Sequence, residues 1–205
     1  MPGAVIAGFY GKLPARGDFV RAGLPRDFTD PWDDWLQTVV AGSRALMGEA
    51  WLPAFLEAPV WRFTLPRGMC GPQAALGLML PSVDRAGRYF PLTFAALSEH
   101  GISRTSGEAW LDACEAAGRA ALEQDTPPQV MADALGSTGL PEVTTGLAEA
   151  AWWSEGSTRV RPACLTMRCL PDAATFAAML GAEAIGTDVA TDASGAGEGE
   201  EESPS

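Results

Sequence analysis

Two glycine-containing segments, residues 12–21 and 82–88, carry the charged side chains that could do chemistry in this sequence. The candidate residues are Lys12, Arg16, Asp18, Arg21, Ser82, Asp84, Arg85 and Arg88. Arginine and lysine can hold a phosphate group, and arginine can also pair with a carboxylate through two parallel hydrogen bonds. We therefore expect the segments either to bind a partner or to bind one another, with Asp18 or Asp84 accepting from an arginine.

Few residues of this sequence could act in catalysis. A nucleophile or general base often depends on histidine, and His100, just after a predicted strand, is the only one. Residues 8–12 superficially look like a phosphate-binding loop, but a Walker A motif needs four residues between its glycines and a serine or threonine where this chain has Leu13. We predict no catalytic residue and treat His100 as a surface side chain. The alternative is an enzyme or nucleotide-binding protein that holds a phosphate with Asp18, Asp84 and nearby arginines.

Metal and cofactor sites are not predicted. The acidic residues lack histidine or further carboxylate partners at the spacing of metal ligands. The cysteines are Cys70, Cys114, Cys164 and Cys169, and no two of them form a Cys-x-x-Cys pair. Such a pair is typical of zinc sites. We therefore expect reduced and mostly buried thiols.

Charge and hydropathy restrict the partners and the location of the chain. The formal net charge of −12 over 205 residues opposes binding to nucleic acid or to an anionic membrane, because both need an excess of basic residues. Glycine or proline interrupts each apolar stretch well before the roughly 18 residues of a membrane span. The first ten residues lack the basic start of a secretory signal. We predict a cytoplasmic protein without membrane insertion.

Composition divides the chain into a globular domain, residues 1–181, and an acidic tail, residues 182–205. The tail contains seven acidic residues, no basic residue and no aromatic residue. It cannot bury enough apolar surface to offset the entropy of ordering it. We predict that the tail is disordered and assign it no function.

Hydrophobic periodicity predicts the elements of the globular domain. The predicted strands are residues 5–10, 60–65, 74–80, 90–97, 152–154 and 163–168. The predicted helices are residues 31–47, 51–56, 105–123, 128–135 and 172–180. Asp30 is the predicted N-cap of the first helix, with Pro31 at the first helical position. This mixed order predicts an α+β fold with a central, mainly antiparallel sheet flanked by helices.

Two adjacent tryptophans, Trp152 and Trp153, fall on a predicted strand. Successive side chains of a strand point to opposite faces of the sheet. One of the two could therefore be exposed, and we take Trp153 as the candidate contact for a partner.

Two long motifs are distinctive. Residues 8–21 read Gly-Phe-Tyr-Gly-Lys-Leu-Pro-Ala-Arg-Gly-Asp-Phe-Val-Arg, and residues 80–93 read Leu-Pro-Ser-Val-Asp-Arg-Ala-Gly-Arg-Tyr-Phe-Pro-Leu-Thr. Together with Trp-Trp-Ser at 152–154, they resemble the TagF (ImpM) family of type VI secretion system-associated proteins. The resemblance extends in order over about residues 5–180.

The resemblance implies a compact domain without catalytic residues, for which a longin-like arrangement of the antiparallel sheet is one candidate. It also implies a post-translational regulator, typically a repressor, that binds the forkhead-associated scaffold protein of the secretion system. Other secretion components are further candidate partners. A structural accessory subunit of the secretion apparatus is the second alternative, alongside the phosphate-binding enzyme.

Overall fold

The computed structural model describes residues 4–14, 16–124, 126–144 and 149–182. The predicted acidic tail, apart from Ala182, lies outside these residues. The domain boundary that we place at residue 181 follows the last described helix.

The described residues form nine strands and five α-helices. The strands are β1 (Ile6–Gly11), β2 (Val20–Ala22), β3 (Trp61–Leu65), β4 (Ala74–Leu80), β5 (Leu92–Ser98), β6 (Gly101–Ile102), β7 (Val143–Thr144), β8 (Ala150–Ser154) and β9 (Ala163–Met167). The helices are α1 (Arg26–Met47), α2 (Trp51–Leu56), α3 (Arg104–Gln124), α4 (Pro128–Ser137) and α5 (Ala173–Met179). A short 3-10 turn, Gly48–Ala50, joins α1 to α2.

In the described part of the chain, seven strands form one antiparallel sheet in the order β2-β1-β5-β4-β3-β8-β9. Helices α1, α2 and α5 cover one face, and α3 and α4 cover the other. Strands β4 and β5 lie in the middle, and all of their residues are buried. Burial on both faces explains their nearly continuous apolar sequence. The predicted α+β fold, with a central antiparallel sheet flanked by helices, is confirmed.

Helix α1 begins earlier than predicted, at Arg26, and contains Pro31 in its interior. The additional turn buries Phe28, whose ring stacks on Trp32 with the ring centroids 5.6 Å apart. Burial of this aromatic surface outweighs the helical hydrogen bond that proline cannot donate. The prediction that Asp30 is the N-cap is therefore wrong.

An aromatic cluster fills the core between α1 and the sheet. Trp32 is fully buried, and its Nε1–H donates to Thr93 Oγ1 at 2.9 Å. The ring centroid of Trp32 lies 4.6 Å from that of Trp35, 4.9 Å from that of Phe63 and 6.2 Å from that of Trp152. Because aromatic rings have preferred packing geometries, these contacts orient α1 on β3 and β8.

Trp152 and Trp153 point to opposite faces of β8, as predicted, but both are buried. Trp153 packs on the face covered by α3, where the Arg104 guanidinium lies 4.0 Å over its ring. The prediction that Trp153 is an exposed contact for a partner is wrong, because helices cover both faces of the sheet at β8.

The four cysteines are free thiols that differ in exposure. Cys70 and Cys114 are buried, and burial raises the pKa of the Cys70 thiol to about 12. Cys164 and Cys169 are exposed. The prediction of mostly buried thiols therefore holds for only half of them, because Cys164 lies on β9, the outermost strand of the sheet, and Cys169 lies just beyond the end of that strand.

Arg62 on β3 joins the sheet to α3. Its guanidinium donates to Glu108, Asp112 and Glu115 at 2.8, 2.7 and 3.1 Å. Burial by itself lowers the pKa of Arg62, but the hydrogen bonds to Asp112 and Glu115 raise it above the ordinary value. Arg62→Met keeps the apolar stem and removes these bonds. We expect the free energy of unfolding in urea to fall by about 1.5–3 kcal/mol.

The matched control is Arg119→Met, which removes one exposed pair with Glu115 within α3. Such a pair contributes no more than about 0.5 kcal/mol. Equal losses for the two variants would contradict the role of Arg62 as the link between the sheet and α3.

Candidate functional site

The two polar segments meet at one end of the sheet. Most of the first lies in the β1–β2 loop, residues 12–19, and its last two residues belong to β2. The second lies in the β4–β5 loop, residues 81–91. Strand β1 runs antiparallel to β5, with Tyr10 opposite Thr93. The end of β1 and the start of β5 therefore share one edge of the sheet, which places the two loops in contact.

Asp84 is at the centre of this contact. It is 3% exposed, and its carboxylate accepts four hydrogen bonds. Oδ2 accepts from Lys12 Nζ at 2.5 Å and from Arg88 Nε at 2.7 Å. Oδ1 accepts from the backbone N–H groups of Ala86 and Arg88, both at 2.9 Å. The β4–β5 loop thus folds around one carboxylate and presents it to the lysine of the other loop.

The donors around Asp84 fix its charge. Burial by itself raises the pKa of a carboxyl group, but the hydrogen bonds from Lys12 and from the backbone and side chain of Arg88 outweigh it. They hold the pKa of Asp84 well below its usual range. Lys12 is itself only 5% exposed. Removing either partner of this buried pair would leave an uncompensated charge.

Three further hydrogen bonds cross between the loops. They run from Ser82 Oγ to the Lys12 carbonyl (2.6 Å), from the Arg85 backbone N–H to the Arg16 carbonyl (3.0 Å), and from Arg88 Nη2 to the Gly17 carbonyl. Below them, Gly11 has a φ of +149°, and a Cβ there would lie 2.4 Å from the Pro91 carbonyl oxygen. Only glycine allows the loops to approach so closely at this point.

An aromatic cluster covers the ion pair. Phe19 stacks on Tyr10 with ring centroids 5.3 Å apart and meets Phe90 edge-on at 4.9 Å. Lys12 Nζ lies 4.7 Å from the centroid of the Phe19 ring, a favourable cation–π contact. The Tyr10 hydroxyl donates to Asp33 of α1 at 2.7 Å. Burial and this hydrogen bond raise the pKa of Tyr10, so the hydroxyl stays protonated and joins the end of β1 to α1.

The structure divides the predicted site residues into two groups. The buried group consists of Lys12, Ser82 and Asp84, and the exposed group consists of Arg16, Asp18, Arg21, Arg85 and Arg88. Asp84, and not Asp18, accepts from the lysine and the arginine that join the loops. A phosphate group at Asp84 would have to displace both of these cations. The geometry therefore favours a structural link beneath an exposed surface.

Sequence reasoning missed the aromatic part of the site. Phe19 is 42% exposed, although Tyr10 and Phe90 hold its ring on two sides. The available signal was a phenylalanine that directly follows the charged residues Arg16 and Asp18 in this loop. Among the described residues, no group of histidine, cysteine or acidic side chains could hold a metal ion.

The fold and the site together define a mixed α+β domain that carries an aromatic and basic loop surface at one end of its antiparallel sheet. None of the helices that the structure describes is both long and apolar enough to cross a membrane. The chain belongs to the type VI secretion system-associated family defined by the TagF N-terminal domain, whose model matches residues 8–138. The predicted resemblance is confirmed.

A solved structure supports the same assignment. The chain is similar to the crystal structure of PA0076 from Pseudomonas aeruginosa PAO1, with 32% sequence identity and a TM-score of 0.77. The match covers 86% of this chain and 94% of that chain. A search of curated proteins gave no match.

Proposed function

We propose that this chain is a non-enzymatic, post-translational regulator that represses the type VI secretion system in the cytoplasm by binding a forkhead-associated scaffold component. Membership in a family associated with type VI secretion supports the part of this proposal that assigns the chain to that system. The ion pairs of Asp84 with Lys12 and Arg88 support protein binding over catalysis, because these charged groups hold the two loops together. The side chains of these loops that stay exposed are suited to contact another protein.

The proposed contact surface is the loop rim, defined here as the exposed side chains of Arg16, Asp18, Phe19, Arg85 and Arg88. Aromatic and arginine side chains contribute most of the binding energy in many protein interfaces. Phe19 is the observation that carries the proposal, because it is an exposed ring held in a fixed orientation. An ordered anchor of this kind loses little conformational entropy on binding.

Phe19→Ala tests the loop rim directly. We expect the affinity for the purified forkhead-associated scaffold protein, measured by isothermal titration calorimetry, to fall by at least about tenfold. The matched control is Leu140→Ala, which removes a side chain of similar exposure (47%) from the segment after α4. Thermal melts would show that both variants stay folded.

Two results would contradict the proposal in different ways. Unchanged affinity in a folded Phe19→Ala variant would exclude the loop rim as the contact surface. No binding of the scaffold protein by the unmodified chain would exclude that partner.

Deleting the gene that encodes the chain tests repression. We expect more secretion in the deletion strain, measured as the amount of secreted substrate in the medium. Loss of secretion would instead indicate a structural accessory subunit of the apparatus.

A further inference from the structure

A groove of about 620 Å³ runs between α1 and the β4–β5 loop. Val40, Ala41 and Arg44 of α1 line one side, and Arg88 and Tyr89 of the β4–β5 loop line the other. We call it the basic groove. It adjoins the loop rim, because Arg88 belongs to both.

Positive charge dominates the basic groove. Lys12, Arg44 and Arg88 line it, and none of the described residues that line it is acidic. Asp84 compensates one of the three charges through its ion pairs with Lys12 and Arg88. Arg44 pairs with no carboxylate among the described residues, and its guanidinium lies 5.6 Å from the centroid of the Trp51 ring. The groove is thus a cationic site on a chain whose formal net charge is −12.

The same chain carries a segment of opposite charge. Residues 198–202 read Glu-Gly-Glu-Glu-Glu, and the preceding residues, 183–197, consist mostly of alanine, glycine, serine, threonine and aspartate. Carboxylates are the natural ligands of arginine, which can bind them through two hydrogen bonds. The four glutamates are therefore opposite in charge to the basic groove and suited in chemistry to the guanidinium groups that line it.

The described chain ends close to the groove. Leu180 and Pro91 line the same small surface depression, and Pro91 directly follows Phe90, which lines the basic groove. The 15 residues 183–197 would bridge roughly 20 Å as a flexible linker and at most about 50 Å when extended. The acidic segment can therefore reach the groove of its own chain.

We propose that residues 198–202 bind the basic groove of their own chain, with their carboxylates accepting hydrogen bonds from Arg44 and Arg88. Exposed ion pairs are individually weak, but a short tether raises the effective concentration of the segment to the millimolar range. Because Arg88 also lies in the loop rim, the bound segment would cover part of that surface. The acidic segment would then compete with any protein that binds the loop rim.

Paramagnetic relaxation enhancement on the full chain tests the proposal. A nitroxide is attached at Ser203→Cys in a chain that also carries Cys164→Ser and Cys169→Ser, so that Cys70 and Cys114, which are buried, are the remaining thiols. We expect a selective loss of amide signal for residues 40–45 and 88–90. Raising NaCl to about 1 M, where the screening length is about 3 Å, should restore it.

Two variants of the labelled chain serve as test and control. Arg44→Gln should restore most of the lost signal, whereas Arg67→Gln should leave the loss unchanged. Arg67 is an exposed arginine of the β3–β4 connection, at the opposite end of β4 from the β4–β5 loop. Uniform signal along the described chain, or the same loss in Arg44→Gln, would overturn the proposal. A second mixture combines a nitroxide-carrying chain without isotope label and an isotope-labelled chain without nitroxide. The same signal loss in this mixture would assign the contact to a second copy and overturn the proposal as well.

Discussion

Replacing Asp84 by asparagine is expected to lower the melting temperature of the chain by roughly 6–20 °C. The amide oxygen can still accept from the backbone N–H groups of Ala86 and Arg88, which now bond to Oδ1. The amide nitrogen, however, would face Lys12 Nζ, which is buried. The large effect arises because a buried ammonium group loses its counter-charge. Differential scanning calorimetry measures the shift.

Asp18→Asn is the matched control, because it neutralises an exposed aspartate of the β1–β2 loop. Its melting temperature should change by no more than about 2 °C, as is usual for surface substitutions. If Asp84→Asn melted at the temperature of the unmodified chain, the structural link between the loops would be wrong.

The pH dependence of stability should change in the same variant. The folded-state pKa of Asp84 lies below its unfolded value, so the stability that it contributes is present above a pH of about 4 and is lost as the pH falls further. Below about pH 4, the unmodified chain should therefore lose stability more steeply than Asp84→Asn. Parallel pH profiles of the two melting temperatures would contradict this assignment.

Trp32→Ala is the second substitution with a large expected effect. Truncating a fully buried tryptophan typically lowers the free energy of unfolding by about 3–5 kcal/mol. Here the change also removes the hydrogen bond to Thr93 Oγ1 and the ring contacts with Trp35, Phe63 and Trp152. Urea denaturation followed by far-ultraviolet circular dichroism would measure the loss.

An exposed apolar residue provides the comparison for Trp32. Leu56 on α2 is 54% exposed, so Leu56→Ala should change the free energy of unfolding by less than about 0.5 kcal/mol. Trp32→Phe keeps an aromatic ring but lacks the N–H donor. Its loss in free energy of unfolding should lie between those of Leu56→Ala and Trp32→Ala. A loss as small for Trp32→Ala as for Leu56→Ala would mean that α1 is not held by this cluster.

The sequence predicted the fold best where burial is strongest. Strand β4 was predicted at residues 74–80 and spans Ala74–Leu80, because burial on both faces produces an uninterrupted apolar run. Strand β2 went unpredicted, since its three residues, Val20–Ala22, form a strand only by pairing with β1. The start of α1 was misplaced for a related reason. Burial of Phe28 against Trp32, a tertiary effect, overrides the local capping signal at Asp30.

The candidate site was predictable in composition but not in geometry. Asp18 and Asp84 both lie in glycine-containing segments next to arginines, so local sequence could not decide which of them joins the loops. The pairing of β1 with β5 decides it, because it brings Lys12 to an aspartate 72 residues away. Phe19 was missed because only the folded chain places Tyr10 and Phe90 around its ring.

The position of β1 between β2 and β5 has a consequence for synthesis on the ribosome. Strand β1 ends at Gly11, whereas β5 begins at Leu92, so about 80 more residues must be made before β5 exists. At about 5–20 residues per second, this takes about 4–16 s. During that interval β2 is the only one of the two neighbours of β1 that has been made, and Phe9 lacks Phe94 of β5, its aromatic partner in the core. The centre of the sheet, and with it the native environment of Phe9, therefore forms late in synthesis.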